Sequence, residues 1–408
     1  MSRYRLFPTS EQESVLLGHC AHARFVWNLA VEQHAWWRRG RRSAPAYVEQ
    51  ARQLTEARQE FTWLRSGSQT VQQQALRDFS EAMARCFAGT HRRPTWRVKG
   101  RHEGFRQVGV KPHQVRRVSH RWAQVWVPKA GWVRFRLSRP VPSGVKSYRV
   151  TQDRSGRWHV AFAAIPPPVP APDNGRTVGV DRGIAVSAAL SNGELLHVPS
   201  PSPGRLRRAR LLQRRLARAR KGSRRRVRLK AALARLRARE ADARKDWAEK
   251  TSTDLARRFD LIAVEDLKIG RMTRSARGTE DRPGRGVSAK AGLNRKILAN
   301  AWGLLVRRLE DKAPGRVVRV DPAFTSQRCS ACGITDRTAR ESQAAFRCRS
   351  CGYTDNADVN AARNIAHSAR HVCAEFGTAA GWAVAAREGP RDTGPTHREP
   401  RLHHRRAV

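Results

Sequence analysis

The chain of 408 residues has room for two or three domains with cores of their own. Its 81 Lys and Arg face 34 Asp and Glu, a formal net charge of +47. That balance excludes an ordinary self-sufficient enzyme: a fold this basic repels itself unless a polyanion neutralises it, and nucleic acid is the polyanion that fits.

Residues 3–8 read as a strand ended by Pro8, and Thr9 or Ser10 then caps a helix carrying Glu11 and Glu13 at its positive end. Leu16, Leu17, Cys20, Phe25, Val26, Leu29, Ala30 and Trp37 continue it at helical spacing. Further helical patterns cover about 45–59 and 69–88. From about 105 to 166 the pattern turns to strands, including a hairpin through Asp153-Arg-Ser-Gly156. This first third reads as a small β-barrel or sheet with helices inserted early. The proline-rich run 166–172 is a stiff linker and a domain boundary.

Residues 177–198 predict three adjacent strands, with Asn192-Gly193 as a hairpin turn. Residues 205–245 hold 19 Lys and Arg against two acids, Glu240 and Asp242, with leucines along a thin seam. This pattern predicts an antiparallel helical hairpin whose outer face, having few acids to pair with, suits phosphates. Leu261 to Glu265 is a strand, 271–292 reads as a mobile loop, Asn294 to Ala313 as one amphipathic helix, and Arg316 to Val320 as a strand. The tail beyond about 374 has no period and reads as disordered.

Cys329-Ser-Ala-Cys332-Gly333 and Cys348-Arg-Ser-Cys351-Gly352 are separated by fifteen residues, 333–347, the spacing of a four-cysteine zinc ribbon. Four thiolates close a tetrahedron around one Zn²⁺, so this site is structural. Cys20, Cys86 and Cys373 are scattered, as in a reducing compartment. The start of the chain has no apolar signal core and no apolar run reaches membrane-spanning length, so the expectation is a cytoplasmic protein with no membrane partner.

Three acids follow apolar elements: Asp181 and Glu265 at strand ends, and Asp358 at a helix start. Carboxylates converging from separate elements are what a two-metal phosphodiester site with Mg²⁺ or Mn²⁺ requires. On spacing alone, Asp266 and Asp355 compete with their neighbours for the same roles. The surrounding strands fit an RNase H-like sheet.

From Tyr4 to about His371 the chain resembles the TnpB (OrfB) proteins of bacterial insertion sequences, relatives of the type V CRISPR effector nucleases. The resemblance rests on Tyr4-Arg-Leu-Phe-Pro-Thr9, Arg24-Phe-Val-Trp-Asn28, Gly179-Val-Asp181-Arg-Gly183 and Val264-Glu265-Asp-Leu267. It continues in Thr325-Ser-Gln-Arg-Cys329-Ser-Ala-Cys-Gly333 and Asp358-Val-Asn-Ala-Ala-Arg-Asn-Ile365. The resemblance implies an RNA-guided DNA endonuclease of RuvC type, with Asp181, Glu265 and Asp358 as the metal-binding acids and a guide RNA derived from the transposon end. It selects Glu265 over Asp266 and Asp358 over Asp355.

The implied architecture is α/β and multidomain. An N-terminal wedge-like β-barrel (1–172) carries a helical recognition insertion at about 12–90. A RuvC-like nuclease domain (173–375) holds the Arg-rich hairpin 205–245 and the zinc ribbon 326–352, and a basic tail (376–408) follows. The family's double-stranded target DNA is read beside its match at positions that here fall on Tyr47, Gln69, Thr70 and Gln73; Arg207, Arg214, Arg224 and Arg228 are candidate phosphate contacts on the hairpin. No oligomeric state follows from the sequence. Where the family often has a His-Lys pair before the second acid, this chain has Glu249-Lys250. A transposase performing strand transfer, or a non-catalytic zinc-ribbon regulator, is an alternative use of the same parts. The regulator would be expected to lack an acid, and all three remain.

Overall fold

A computed structural model describes residues 2–36, 44–164 and 166–376, with side chains through 371. The expectations for Trp37, Cys373 and the tail from 377 fall outside the described residues or side chains. The described chain divides into two compact units, Met1–Pro166 with Ser202–Arg239, and Pro167–Pro201 with Glu240–Val408.

In the first unit, β1 (Ser2–Phe7) leads into four helices: α1 (Ser10–Ala35), α2 (Tyr47–Glu60), the short α3 (Thr62–Arg65) and α4 (Gln69–Phe87). Thr9 is the cap of α1. Its side chain accepts from the Gln12 N–H at 3.3 Å while Gln12 Oε1 accepts from the Thr9 N–H at 3.1 Å, a reciprocal capping box. Strands β2 (Gly104–Val108), β3 (Val115–Arg117), β4 (Trp122–Val127), β5 (Gly131–Arg136), β6 (Ser147–Gln152) and β7 (Trp158–Phe162) join β1 in an antiparallel sheet of order β2-β6-β7-β1-β5-β4-β3. Alternating apolar residues of these strands meet α1 and α4 in one core, where Tyr4 lies 5.3 Å from the Phe135 ring and 5.6 Å from the Phe162 ring.

The barrel expectation needs correction. Among the described residues β2 and β3 do not pair, so the sheet is not closed by hydrogen bonds. They are nonetheless joined by the six residues 109–114. Laid flat, seven strands would separate the two edges by ~29 Å, beyond the ~24 Å that such a connection spans, so the sheet must curl. Pro112, which has no N–H to donate, starts a 3₁₀ turn in that connection and interrupts the ladder where closure would occur.

The second unit is built on β8 (Thr177–Asp181), β9 (Ala188–Leu190) and β10 (Leu195–Leu196), turned at Gly193, where φ is 93°. Helix α5 (Pro203–Arg218) and the 35-residue α6 (Arg224–Arg258) follow, and α6 contributes to both units. Both helices expected there are present, joined by residues 219–223, but the first buries no side chain and the second runs well past 245. Strand β11 (Leu261–Glu265), short α7 (Ile269–Met272), α8 (Val287–Ala299), α9 (Trp302–Lys312), β12 (Val317–Val320), β13 (Ala345–Arg347), β14 (Thr354–Asn356) and α10 (Ala357–Phe376) complete the chain. The sheet order is β10-β9-β8-β11-β12, antiparallel over β10-β9-β8 and parallel over β8-β11-β12.

Two further expectations are corrected. The amphipathic stretch 294–313 is two helices, broken at Asn300 and Ala301, with φ of 57° at Ala301. The Asn300 side chain binds Ser187 Oγ at 2.6 Å and donates to the Ile184 carbonyl at 3.3 Å, and these tertiary bonds offset the cost of the break. The segment 271–292 is not a featureless loop: Gly278 bridges Pro283, and Lys290 Nζ reaches back to the Met272 carbonyl at 2.6 Å.

The sheet's two faces explain where the acids go. Val178, Val180, Ile262 and Val264 pack with Leu255, Phe259, Leu305 and Leu309 on one face. On the other, Ala263 and Val320 meet Ile365 and Ala369 of α10. Gly179 lies on that second face by alternation, and a Cβ placed there would sit 1.9 Å from the Ala362 carbonyl oxygen and 2.6 Å from Ala366 N. Gly179→Ala is therefore expected to lower stability by about 3 kcal/mol or more, because backbone rather than a movable side chain is in the way. An unchanged melting curve would contradict this strand–helix contact.

Candidate active site

Two residues beyond Gly179 and Ala263, on the same face, come Asp181 and Glu265, the last residues of neighbouring parallel strands. Asp358 lies one helical turn before Ala362 on α10, the residue against which Gly179 is packed, so the same close approach carries Asp358 over the two strand ends. A Cβ at Gly183 would lie 3.5 Å from Asp358 Oδ2. Burial raises the Asp181 carboxyl to about 7, with the charges of Glu265 and Asp358 adding to the shift and Arg340 opposing it. Glu265 is raised by burial. The structure thus brings Asp181, Glu265 and Asp358 close enough for their charges to interact, with Glu265 and Asp358 buried and Asp181 half-buried.

The neighbouring acids are held elsewhere. Asp266 is paired with Lys268 and, at 3.1 Å, with Arg319, and the Lys268 hydrogen bond lowers its carboxyl. Asp355 accepts from Tyr353 Oη at 2.7 Å and pairs with Arg363 at 2.8 Å. Three partners of the cluster carried no role in the sequence reading. Thr325 Oγ1 donates to Glu265 Oε1 at 2.7 Å, Arg340 Nη2 donates to Asp358 Oδ1 at 2.8 Å, and buried Arg182 donates to the Glu265 carbonyl. Thr325 and Arg182 lie inside quoted motifs; Arg340 has no local signature.

The cysteines form two matching knuckles. In the first, Cys329 N donates to Ile334 O at 2.9 Å and Gly333 N to Cys329 O at 2.9 Å. In the second, Cys348 N donates to Tyr353 O at 2.8 Å and Gly352 N to Cys348 O at 3.0 Å. Gly333 and Gly352 have φ of 78° and 74°, which favours glycine at both turns. All four sulfurs lie within 4.8 Å of one another, with Sγ–Sγ distances of 3.7 Å for Cys329–Cys351 and 3.6 Å for Cys332–Cys348. A tetrahedron with metal–sulfur bonds of 2.3 Å has edges of ~3.8 Å, so the set fits one thiolate-bound ion, whereas a disulfide needs about 2.05 Å. Backbone N–H groups, that of Cys351 foremost, lower the Cys348 thiol to about 7, towards the thiolate a metal requires.

The ribbon is tied to the acids. Asn360 on α10 accepts from Ser330 N at 2.9 Å and donates to Arg328 O at 2.8 Å, and Asn364 donates to Thr325 O at 2.9 Å and Arg328 O at 2.7 Å. Glu249 pairs with Arg308 at 2.7 Å and Lys312 at 2.9 Å, clasping α6 to α9. This chain's departure at that position is thus a structural clasp. The remaining sequence candidates lie in the first unit. Gln69 is exposed, Thr70, Gln73 and Tyr47 are half-buried, and Tyr47 Oη accepts from Arg77 Nε at 2.9 Å. Arg207, Arg214, Arg224 and Arg228 are all exposed on α5 and α6.

The fold is similar to that of a solved protein, the Cas12f1 of a cryo-EM Cas12f1–sgRNA–target DNA complex, at a TM-score of 0.53. The match has 14% identity over 87% of this chain and 82% of that one. Residues 148–276 match the family model "Probable transposase", residues 302–365 the "Cas12f1-like, TNB domain", and residues 2–42 a "Helix-turn-helix domain". Over 2–42 the described residues form β1 and the single helix α1. The "Putative RNA-guided DNA endonuclease InsQ" of Escherichia coli (strain K12) is 35% identical over 371 residues, 89% of this chain and 90% of that one. A "Putative RNA-guided DNA endonuclease" of Streptomyces pristinaespiralis is 32% identical over 375 residues, 89% and 87% of the two chains. The chain belongs to the TnpB (OrfB) family of bacterial insertion sequences. No helix among the described residues is long and apolar enough to cross a membrane.

Proposed function

We propose that this protein is a transposon-encoded, RNA-guided DNA endonuclease whose second unit is an RNase H-like (RuvC-type) nuclease domain cutting at Asp181, Glu265 and Asp358. The observation that carries the reading is the convergence of these three acids, whose charges interact, from β8, β11 and α10. The sheet order, antiparallel then parallel, supports the RNase H-like assignment. Relatives of matching length named as RNA-guided DNA endonucleases support the guide and the target.

The hard oxygen donors of the cluster suit Mg²⁺ or Mn²⁺, which when bound would activate water and stabilise the leaving oxygen of the phosphodiester. The chain's own residues orient the donors. Thr325 fixes the Glu265 carboxylate, Arg340 holds Asp358, and the Arg182 contact ties the end of β11 to the residue after Asp181. The four cysteines would hold a structural Zn²⁺. The arginine-covered face of α5 and α6 is the proposed seat of the guide RNA backbone, and the exposed edge of α4 that of the motif beside the target.

Expression with the native downstream flank, followed by sequencing of the bound RNA, tests the guide. A discrete species ending at the element's right end and running into neighbouring sequence is expected. Heterogeneous host RNA removed by moderate salt would contradict the assignment.

A further inference from the structure

In the first unit, α4 and the strands β2, β6 and β7 border an open cavity of about 380 Å³. Four guanidiniums (Arg85, Arg97, Arg106 and Arg149) face two carboxylates there, so the cavity carries excess positive charge. Asp78 is already occupied at both oxygens: Arg106 binds Oδ1 at 3.3 Å and Arg149 binds Oδ2 at 2.8 Å. Arg85 is only loosely paired with Glu81 at its rim, at 3.9 Å.

Arg97 is the odd member. Its guanidinium lies over the Trp27 ring, 3.6 Å from the centroid, and its side chain makes no hydrogen bond or ion pair among the described residues. Burial lowers it to about 10, with Asp78 opposing and Arg149 adding to the shift, so it remains charged at neutral pH. A guanidinium held on an indole with its donors unused by the protein is free to bind an incoming acceptor.

We propose that this cavity is a phosphate site, in which Arg97, pre-oriented by Trp27 and flanked by Arg106 and Arg149, takes a phosphodiester group of a nucleic-acid backbone. A planar guanidinium offers two parallel donors to phosphate oxygens, and stacking on an indole fixes the plane before the ligand arrives. The contact is independent of base identity, so it sets position and register and not sequence. The inference rests on the nucleic-acid reading above but not on the cutting reaction. Guide RNA and target duplex are the two sources of such a group.

The test compares full-length wild type, Arg97→Met and Arg97→Lys, freed of nucleic acid, in binding the copurified RNA and, separately, a duplex DNA of unrelated sequence across a range of salt. Arg97→Met is expected to weaken binding about tenfold at low salt for one of the two. It should also reduce the slope of log affinity against log salt by ~0.7 for single strands or ~0.9 for duplex. Arg97→Lys, which keeps the charge, is expected to keep the slope. If Arg97→Met fails to fold, Arg149→Gln at the exposed rim is read in the same way, with the same expected loss. Unchanged slopes for both RNA and DNA, or a slope lost equally in Arg97→Lys, would overturn the site. Failure of the wild type to cut DNA would sink the nuclease reading and leave the slope result standing.

Discussion

Replacing Asp181 by alanine is expected to lower target cleavage by about 10³-fold or more while leaving RNA affinity unchanged. The magnitude follows from the several kcal/mol of transition-state charge stabilisation that a metal site supplies, with each 1.36 kcal/mol worth tenfold. The same substitution should leave stability equal or slightly raised, because it relieves a half-buried carboxylate whose charge is opposed by those of Glu265 and Asp358. Asp266→Ala is the control. Its carboxylate is spent on Lys268 and Arg319, so cleavage should stay within a few-fold of wild type. Cleavage surviving in Asp181→Ala, or lost equally in Asp266→Ala, would place the chemistry elsewhere.

Replacing Cys348 by serine is expected to take the zinc content from about one per chain to near zero. Structural zinc sites of this kind contribute on the order of 10 kcal/mol of binding free energy, which is folding free energy for the ribbon. The damage should extend beyond the ribbon. Arg340, next to buried Ala339 of the ribbon core, holds Asp358, while Asn360 and Asn364 anchor α10 to the start of the ribbon. Cleavage is therefore expected to fall with the zinc. Cys86→Ser, on α4 in the other unit, should change neither quantity. Full zinc content in Cys348→Ser, measured by atomic emission, would refute four-cysteine ligation.

Features with a local signature could be read from the sequence. Thr9 and Gln12 are three residues apart and build a capping box, Asn192-Gly193 supplies a hairpin turn, and the two CxxC-Gly knuckles repeat the same bonds. What could not be read depends on partners distant in the chain. The break at Ala301 leaves the helical period intact and is stabilised by Asn300 reaching Ser187 and Ile184. Strand alternation puts Glu265 on the face that packs α10 and leaves Asp266 to Lys268 and Arg319, a difference that spacing alone does not reveal. Arg340 reaches Asp358 across the second knuckle, and Arg97 reaches Trp27 across α2, α3 and α4, so neither arrangement leaves a trace in the neighbouring residues.

The central claim is that RNA chooses where this protein cuts, and replacing the guide segment of the RNA tests it most directly. With the rest of the RNA kept and the segment rewritten to match a second duplex, cutting should move to that duplex, require Mg²⁺ or Mn²⁺, and disappear from the first. Cutting that stays at the original site, or proceeds equally on DNA with no match to the RNA, would contradict the account.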